Sequence, residues 1–235
     1  MPTAKIRGNM GQKTGGSLTL TDRVRGWVHG VADPIANLLA RLGFTPNTLT
    51  LIGFLMNVAV AVILSRGEMR WGAVAYFLAS AFDGLDGAVA RRLNRVSRFG
   101  AFLDSTVDRL SEAAVFLGLL VWYTGQGVKQ EIVLIYATIV GSLMVSYSRA
   151  RAEGLGLDCR VGLLTRMERF FVLFVGLFLE QVTITLWIMA VLTNFTALQR
   201  MFYVWRRSEA EERAAKEKET ALPDEGTSDE TGRQP

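Results

Sequence analysis

Between residues 83 and 108 stand four carboxylates, Asp83, Asp86, Asp104 and Asp108, in sequence otherwise among the most apolar of the chain. At ~3.6 residues per turn, Asp83 and Asp86 share one helix face, and Asp104 and Asp108 share a face of a second helix. The arginine-rich turn between the pairs lets the two helices lie side by side. Four negative charges gathered there repel one another and are costly to desolvate unless positive charge sits among them. A hard divalent cation meets that need, because Mg2+ and Mn2+ take oxygen ligands and the chain has only one histidine, His29, and one cysteine, Cys159. The plainer reading pairs the aspartates with Arg91, Arg92, Arg95 and Arg98. It is the weaker one, since an intramembrane carboxylate carries a cost that function ordinarily explains.

The residues between the aspartates narrow the chemistry. Gly87 and Ala90 keep side chains off the pocket wall, so that an anionic ligand can approach the backbone. Arg91 offers a forked donor suited to phosphate. The whole pattern, D-x-x-D-G-x-x-A-R-x(8)-G-x(3)-D-x(3)-D, runs from Asp83 through Gly87, Ala90, Arg91, Gly100 and Asp104 to Asp108 without a mismatch. In this it resembles the signature of the CDP-alcohol phosphotransferases, membrane enzymes that displace CMP from a CDP-linked lipid or alcohol.

That resemblance implies roles. Displacement at a diphosphate needs charge neutralisation, aligned attacking and leaving oxygens, and a base for the alcohol proton. Two Mg2+ ions, or Mn2+, would be held chiefly by Asp83, Asp86 and Asp104. Asp108, one turn deeper, is implied as the catalytic base and as a further metal contact. The resemblance carries the cytidine diphosphate site onto Gly87, Arg91 and Ser97, with the segment Asn47, Thr48, Leu49 and Thr50 closing over it. For Ser97 an N-cap of the following helix is an equally good explanation. Further on, S-Y-S-R-A-R-A-E at residues 146–153 and R-M-E-R at residues 166–169 are similar to the phosphatidylinositol phosphate synthase branch, whose acceptor is inositol 1-phosphate. Arg149, Arg151, Arg166, Arg169 and Arg200 are accordingly expected at the acceptor phosphate. Two departures stand here: Thr165 where that branch often has Glu, and Arg149 where some members have Lys. Positive-inside anchoring accounts for some of the same arginines.

The elements that position these residues follow from segregation of charge. Half of the 235 residues are hydrophobic, yet 26 basic and 22 acidic residues are confined between long apolar runs. This reads as all-α: a polytopic membrane protein of six transmembrane helices preceded by an N-terminal amphipathic interfacial helix. Residues 1–21 read as a flexible leader. Residues 22–43 read as the juxtamembrane amphipathic helix, with Val24, Trp27, Val28, Val31, Ile35, Leu38, Leu39 and Leu42 at helical spacing and Gly43 as its stop. Residues 44–207 form the membrane domain, with spans near 48–65, 71–91, 99–123, 131–148, 170–179 and 182–205. Residues 208–235, almost without apolar side chains, read as a disordered charged tail.

The loops after the second and fourth spans hold four and five arginines, whereas the opposite side holds only Arg66, Arg70 and Lys129. The positive-inside rule therefore puts both termini and the carboxylates on the cytoplasmic side of the cytoplasmic membrane. Nucleic-acid binding is excluded, because the basic residues follow membrane topology instead of gathering on a soluble face.

The expected partners are CDP-diacylglycerol, a phosphorylated polyol, membrane lipids and, by resemblance, a second copy of the chain. The first reading is phosphatidyl transfer to inositol 1-phosphate. The alternatives are the same chemistry with glycerol 3-phosphate or an archaeal-type lipid donor, and a non-catalytic membrane scaffold. Prenyl-diphosphate synthases also hold diphosphates with aspartates and Mg2+, but six apolar spans argue against them.

Overall fold

The computed structural model describes residues 34–35, 38–39, 41–92 and 97–221, and for Asp86, Ala88, Arg91, Arg92, Ala215 and residues 218–221 the backbone only. Six helices make up the described chain: α1 Pro46–Ser65, α2 Met69–Arg92, α3 Arg98–Gln126, α4 Lys129–Gly154, α5 Arg166–Phe178 and α6 Val182–Ala221. Of these, α1, α4 and α6 contain stretches long and apolar enough to cross a membrane. Helices α2 and α3 carry the aspartates within otherwise apolar sequence. At ~1.5 Å rise per residue, the 13 residues of α5 cover only about 20 Å, less than a ~30 Å hydrocarbon core.

Each boundary has a local cause. Thr45 takes the N-cap of α1 and accepts a bond from Thr48 N at 3.3 Å, with Pro46 in the first helical turn where its missing N–H costs nothing. Residues 47–50, expected as a segment closing over the donor, are thus the opening turn of α1, and Leu49 is buried. Ser97 caps α3 by accepting from Gly100 N at 2.9 Å, and Gly127 ends α3 at φ +69°. Just before α1, Gly43 at φ +84° follows a last helical turn closed by Leu42 N→Leu38 O, as the expected stop there requires. The rest of the expected amphipathic helix over 22–43 lies mostly outside the described residues. The leader 1–21 and residues 222–235 lie outside them altogether.

One boundary departs from expectation. The stretch from 208, read as irregular tail, continues α6 to Ala221. Its Ala, Glu, Lys and Arg residues are strong helix formers, and Arg207–Glu211 and Glu209–Arg213 pair one turn apart, which adds a few tenths of a kcal/mol each.

The helices pack as two strongly joined pairs, α1 on α3 and α4 on α6, with α2 against α1 and α5, and α5 against α2 and α6. The α1–α3 approach is close because Gly118 has no side chain: a Cβ there would meet Ala61 O at 2.3 Å. Val60, Phe116, Ile135, Leu173, Leu186 and Met189 fill the common core. Outside it, Leu55, Phe77, Tyr136, Phe171, Trp187 and Phe195 are exposed, an apolar exterior suited to lipid.

Candidate metal centre and adjoining arginine pocket

Helical spacing brings the carboxylates together as their sequence positions require. Asp83 on α2 and Asp104 and Asp108 on α3 place ligand oxygens within 4.8 Å of one another. Asp86 belongs to the same end of α2, with its side chain outside the described set. Gly53 of α1 lies against this cluster: a Cβ there would touch Asp83 Oδ1 at 3.4 Å. Three half-buried carboxylates with only oxygen to offer match the donor preference of Mg2+ or Mn2+, so the residues fit a hard divalent cation. In the structure positive charge reaches them from α5. The Arg166 guanidinium lies 2.5 Å from Asp83 Oδ2 and 2.6 Å from Asp108 Oδ1.

Two cavities meet at this point. The larger of the two, of about 270 Å³, is bounded by Asp83, Asn57, Tyr76, Ser80, Ser111 and Phe170. Ser111 Oγ is buried there, with no hydrogen-bond partner among the described residues. The second, of about 160 Å³, is bounded by Arg109, Arg149, Arg169 and Arg200, with Ser146 and Thr165. Asp108, Glu112 and Arg166 line both and form the partition between them.

The expected acceptor arginines do not stand alike around the second cavity. Arg166 bridges the aspartates. Arg149 is half exposed and paired with Glu153 at 2.8 Å. Arg200 is 3% exposed; its Nε donates to Val161 O at 2.8 Å and its Nη1 to Val145 O at 2.5 Å, which pins the α4–α5 loop to α6. Arg169, also 3% exposed, forks onto Glu112, with Nε–Oε1 2.7 Å and Nη2–Oε2 2.9 Å. Its guanidinium thus faces a carboxylate of the protein while also bordering the cavity. Arg151 is exposed and lies outside the lining of this cavity. Ser97 spends its hydroxyl on the α3 cap.

Glu112, Arg109, Tyr76 and Ser111 were not among the expected site residues. For Glu112 the signal was present: it continues the Asp104, Asp108 face by one more turn. Cys159, in the loop after α4, is fully buried beside Ala152 and Leu157. Burial pushes its thiol above the ordinary value, so it serves as an apolar filler and not as a nucleophile.

The family model for CDP-alcohol phosphatidyltransferase matches residues 44–203. A phosphatidylinositol phosphate synthase from Streptomyces avermitilis is 38% identical, with 94% of this chain and 96% of that protein covered. An archaetidylinositol phosphate synthase from Pyrococcus horikoshii is 35% identical, with 81% of this chain and 99% of that protein covered. The crystal structure of Mycobacterium tuberculosis phosphatidylinositol phosphate synthase with CDP-DAG bound superposes at a TM-score of 0.72, with 34% identity over 74% of this chain and 94% of that one. The same enzyme has been solved in complex with manganese and citrate, at a TM-score of 0.69 and 34% identity over 74% of this chain and 88% of that one.

Proposed function

The chain belongs to the CDP-alcohol phosphatidyltransferase family, an integral membrane enzyme of phospholipid biosynthesis, and we propose that it transfers a phosphatidyl group from CDP-diacylglycerol to inositol 1-phosphate, releasing CMP. One observation carries the reading: Asp108 belongs both to the aspartate cluster and to the wall of the arginine-lined cavity. A hydroxyl held in that cavity has a carboxylate beside it. The acceptor oxygen attacks the lipid-side phosphorus, its O–P bond forms as the bond to CMP breaks, and Asp108 takes the hydroxyl proton.

Two divalent cations, Mg2+ or Mn2+, held by Asp83, Asp86, Asp104 and Asp108, supply neutralisation of the diphosphate charge when bound. Gly87, Arg91 and the Asn47–Thr50 turn of α1 face the donor in this reading. Arg149, Arg166 and Arg200 orient the acceptor phosphate, with Arg149 the most open of the three. Relatives named for phosphatidyl and for archaetidyl transfer share the inositol phosphate and differ in the lipid, which favours the acceptor over glycerol 3-phosphate. We place all six helices in the cytoplasmic membrane, with α5 extended by its flanking loops, the aspartates and both termini on the cytoplasmic side, and a second copy of the chain as partner.

The test is CMP release by the purified protein with CDP-diacylglycerol and Mg2+, supplied in turn with inositol 1-phosphate and glycerol 3-phosphate. Release with the inositol phosphate is expected. Release with glycerol 3-phosphate alone would overturn the acceptor, and unchanged release by Asp108→Asn would overturn the assignment of the base.

A further inference from the structure

Helix α5 follows eleven residues, 155–165, without regular structure, and is too short for its own length to fix its depth in the bundle. Its C-terminal end is tied to α6 by a hydrogen-bonded turn and by the close approach of Gly176 to Thr185, so the N-terminal turn, which carries Arg166 and Arg169, is the part left for other contacts to place. On α5, Arg166 and Arg169 are one turn apart on one face; on α3, so are Asp108 and Glu112. The two faces meet as a ladder. The open rung is Arg166 with Asp108 and Asp83, and the closed rung is the buried two-pronged contact of Arg169 with Glu112.

We infer that Glu112 and Arg169 are a positioning pair: they fix the first turn of α5 relative to α3 and thereby hold the Arg166 guanidinium between Asp83 and Asp108. The inference deepens the proposed function and rests on its reading of the aspartates as cation ligands. Displacement of that turn would leave the buried Arg169 and the half-buried Glu112 without each other, among neighbours that include Tyr76 and Phe170, and such an arrangement is disfavoured. The placement seen is thus favoured by the cost of leaving it. Because Glu112, Asp108 and Arg166 together form the partition between the two cavities, the same placement keeps the two cavities apart. A buried ion pair of this kind contributes little net stability over apolar side chains of similar size, so its role is better sought in geometry than in strength.

The experiment is a cycle of three variants: Glu112→Met with Arg169→Met, Arg166→Ala, and all three changes together. It is read in turnover of CDP-diacylglycerol with inositol 1-phosphate, and in Mn2+ binding by the substrate-free protein, followed by electron paramagnetic resonance. The apolar pair should fold, with an unfolding temperature at or above the native one. Its turnover should fall by about tenfold to a hundredfold, the scale of a small misplacement near reacting groups. Arg166→Ala should lose a similar factor, and the triple variant no more than Arg166→Ala alone. For Mn2+, the apolar pair and Arg166→Ala should each bind several-fold more tightly, because a competing positive charge has left the carboxylates, and combining them should add nothing. The reversed pair, Glu112→Arg with Arg169→Glu, should recover part of the lost turnover. Additive effects in either readout, or native turnover and native Mn2+ affinity in the apolar pair, would overturn the inference. Coupled Mn2+ effects in a protein inert toward inositol 1-phosphate would instead remove the proposed acceptor and leave the positioning pair standing.

Discussion

The carboxylate side and the arginine side of this site are built on different principles. Asp83, Asp104 and Asp108 come from two consecutive helices that pack on α1 and not, as expected, side by side; helical spacing puts Asp104 and Asp108 on one face, and the shared seat on α1 brings Asp83 to them. The arginines come from α3, α4, α5 and α6, and most of them are already committed: Arg169 to Glu112, Arg200 to two carbonyls, Arg149 to Glu153. A cluster of like charges gathered at one point of a contiguous motif points to a ligand from outside, because mutual repulsion and desolvation make it costly to build for structure alone. Dispersed charges of the opposite sign first satisfy the protein, and only what remains can serve a substrate.

That contrast can be broken most sharply on the acidic side. Chelation of divalent cations should reduce CMP release to background, and Mg2+ or Mn2+ should restore it; full turnover in excess chelator would dissolve the distinction. Next in size, Asp108→Asn should lower kcat by about 10²–10⁴-fold, the range for loss of a positioned base, with the protein still folded by thermal unfolding. On the basic side the effects should be smaller and unequal. Arg149→Ala should raise the acceptor KM by about tenfold, as befits one lost charge-assisted contact, whereas Arg151→Ala should leave it nearly unchanged. Arg200→Ala should raise KM and also lower the unfolding temperature, since Val161 and Val145 lose their buried donor. The smallest effect is expected at Ser97→Ala: a stability loss of about 1 kcal/mol from the missing N-cap, with KM for CDP-diacylglycerol unmoved. A large rise in that KM would return Ser97 to the donor site.

Legibility in the sequence follows the same division. The helices around the aspartates could be read because apolar runs, Pro46 and Gly127 mark their limits, and the motif residues sit at fixed offsets within them. The continuation of α6 to Ala221 was missed because low hydropathy was read as disorder, while the Glu, Ala, Lys and Arg content favours helix on its own account. The ion pair of Arg169 could not be foreseen, because an arginine beside Arg166 looks identical in sequence whether it faces a substrate or a half-buried glutamate. Its partner is 57 residues away on another helix, and no local pattern announces it.

By itself the sequence determined the all-helical character and the gathering of three aspartates, because both depend on short-range periodicity within single helices or neighbouring ones. Only the tertiary structure decided which arginines remain open to a ligand, that Asp108, Glu112 and Arg166 separate two cavities, and that Arg169 of α5 closes onto Glu112 of α3. Those features depend on which distant side chains meet first, and a charge close to an opposite one is no longer the same reagent as a charge left alone.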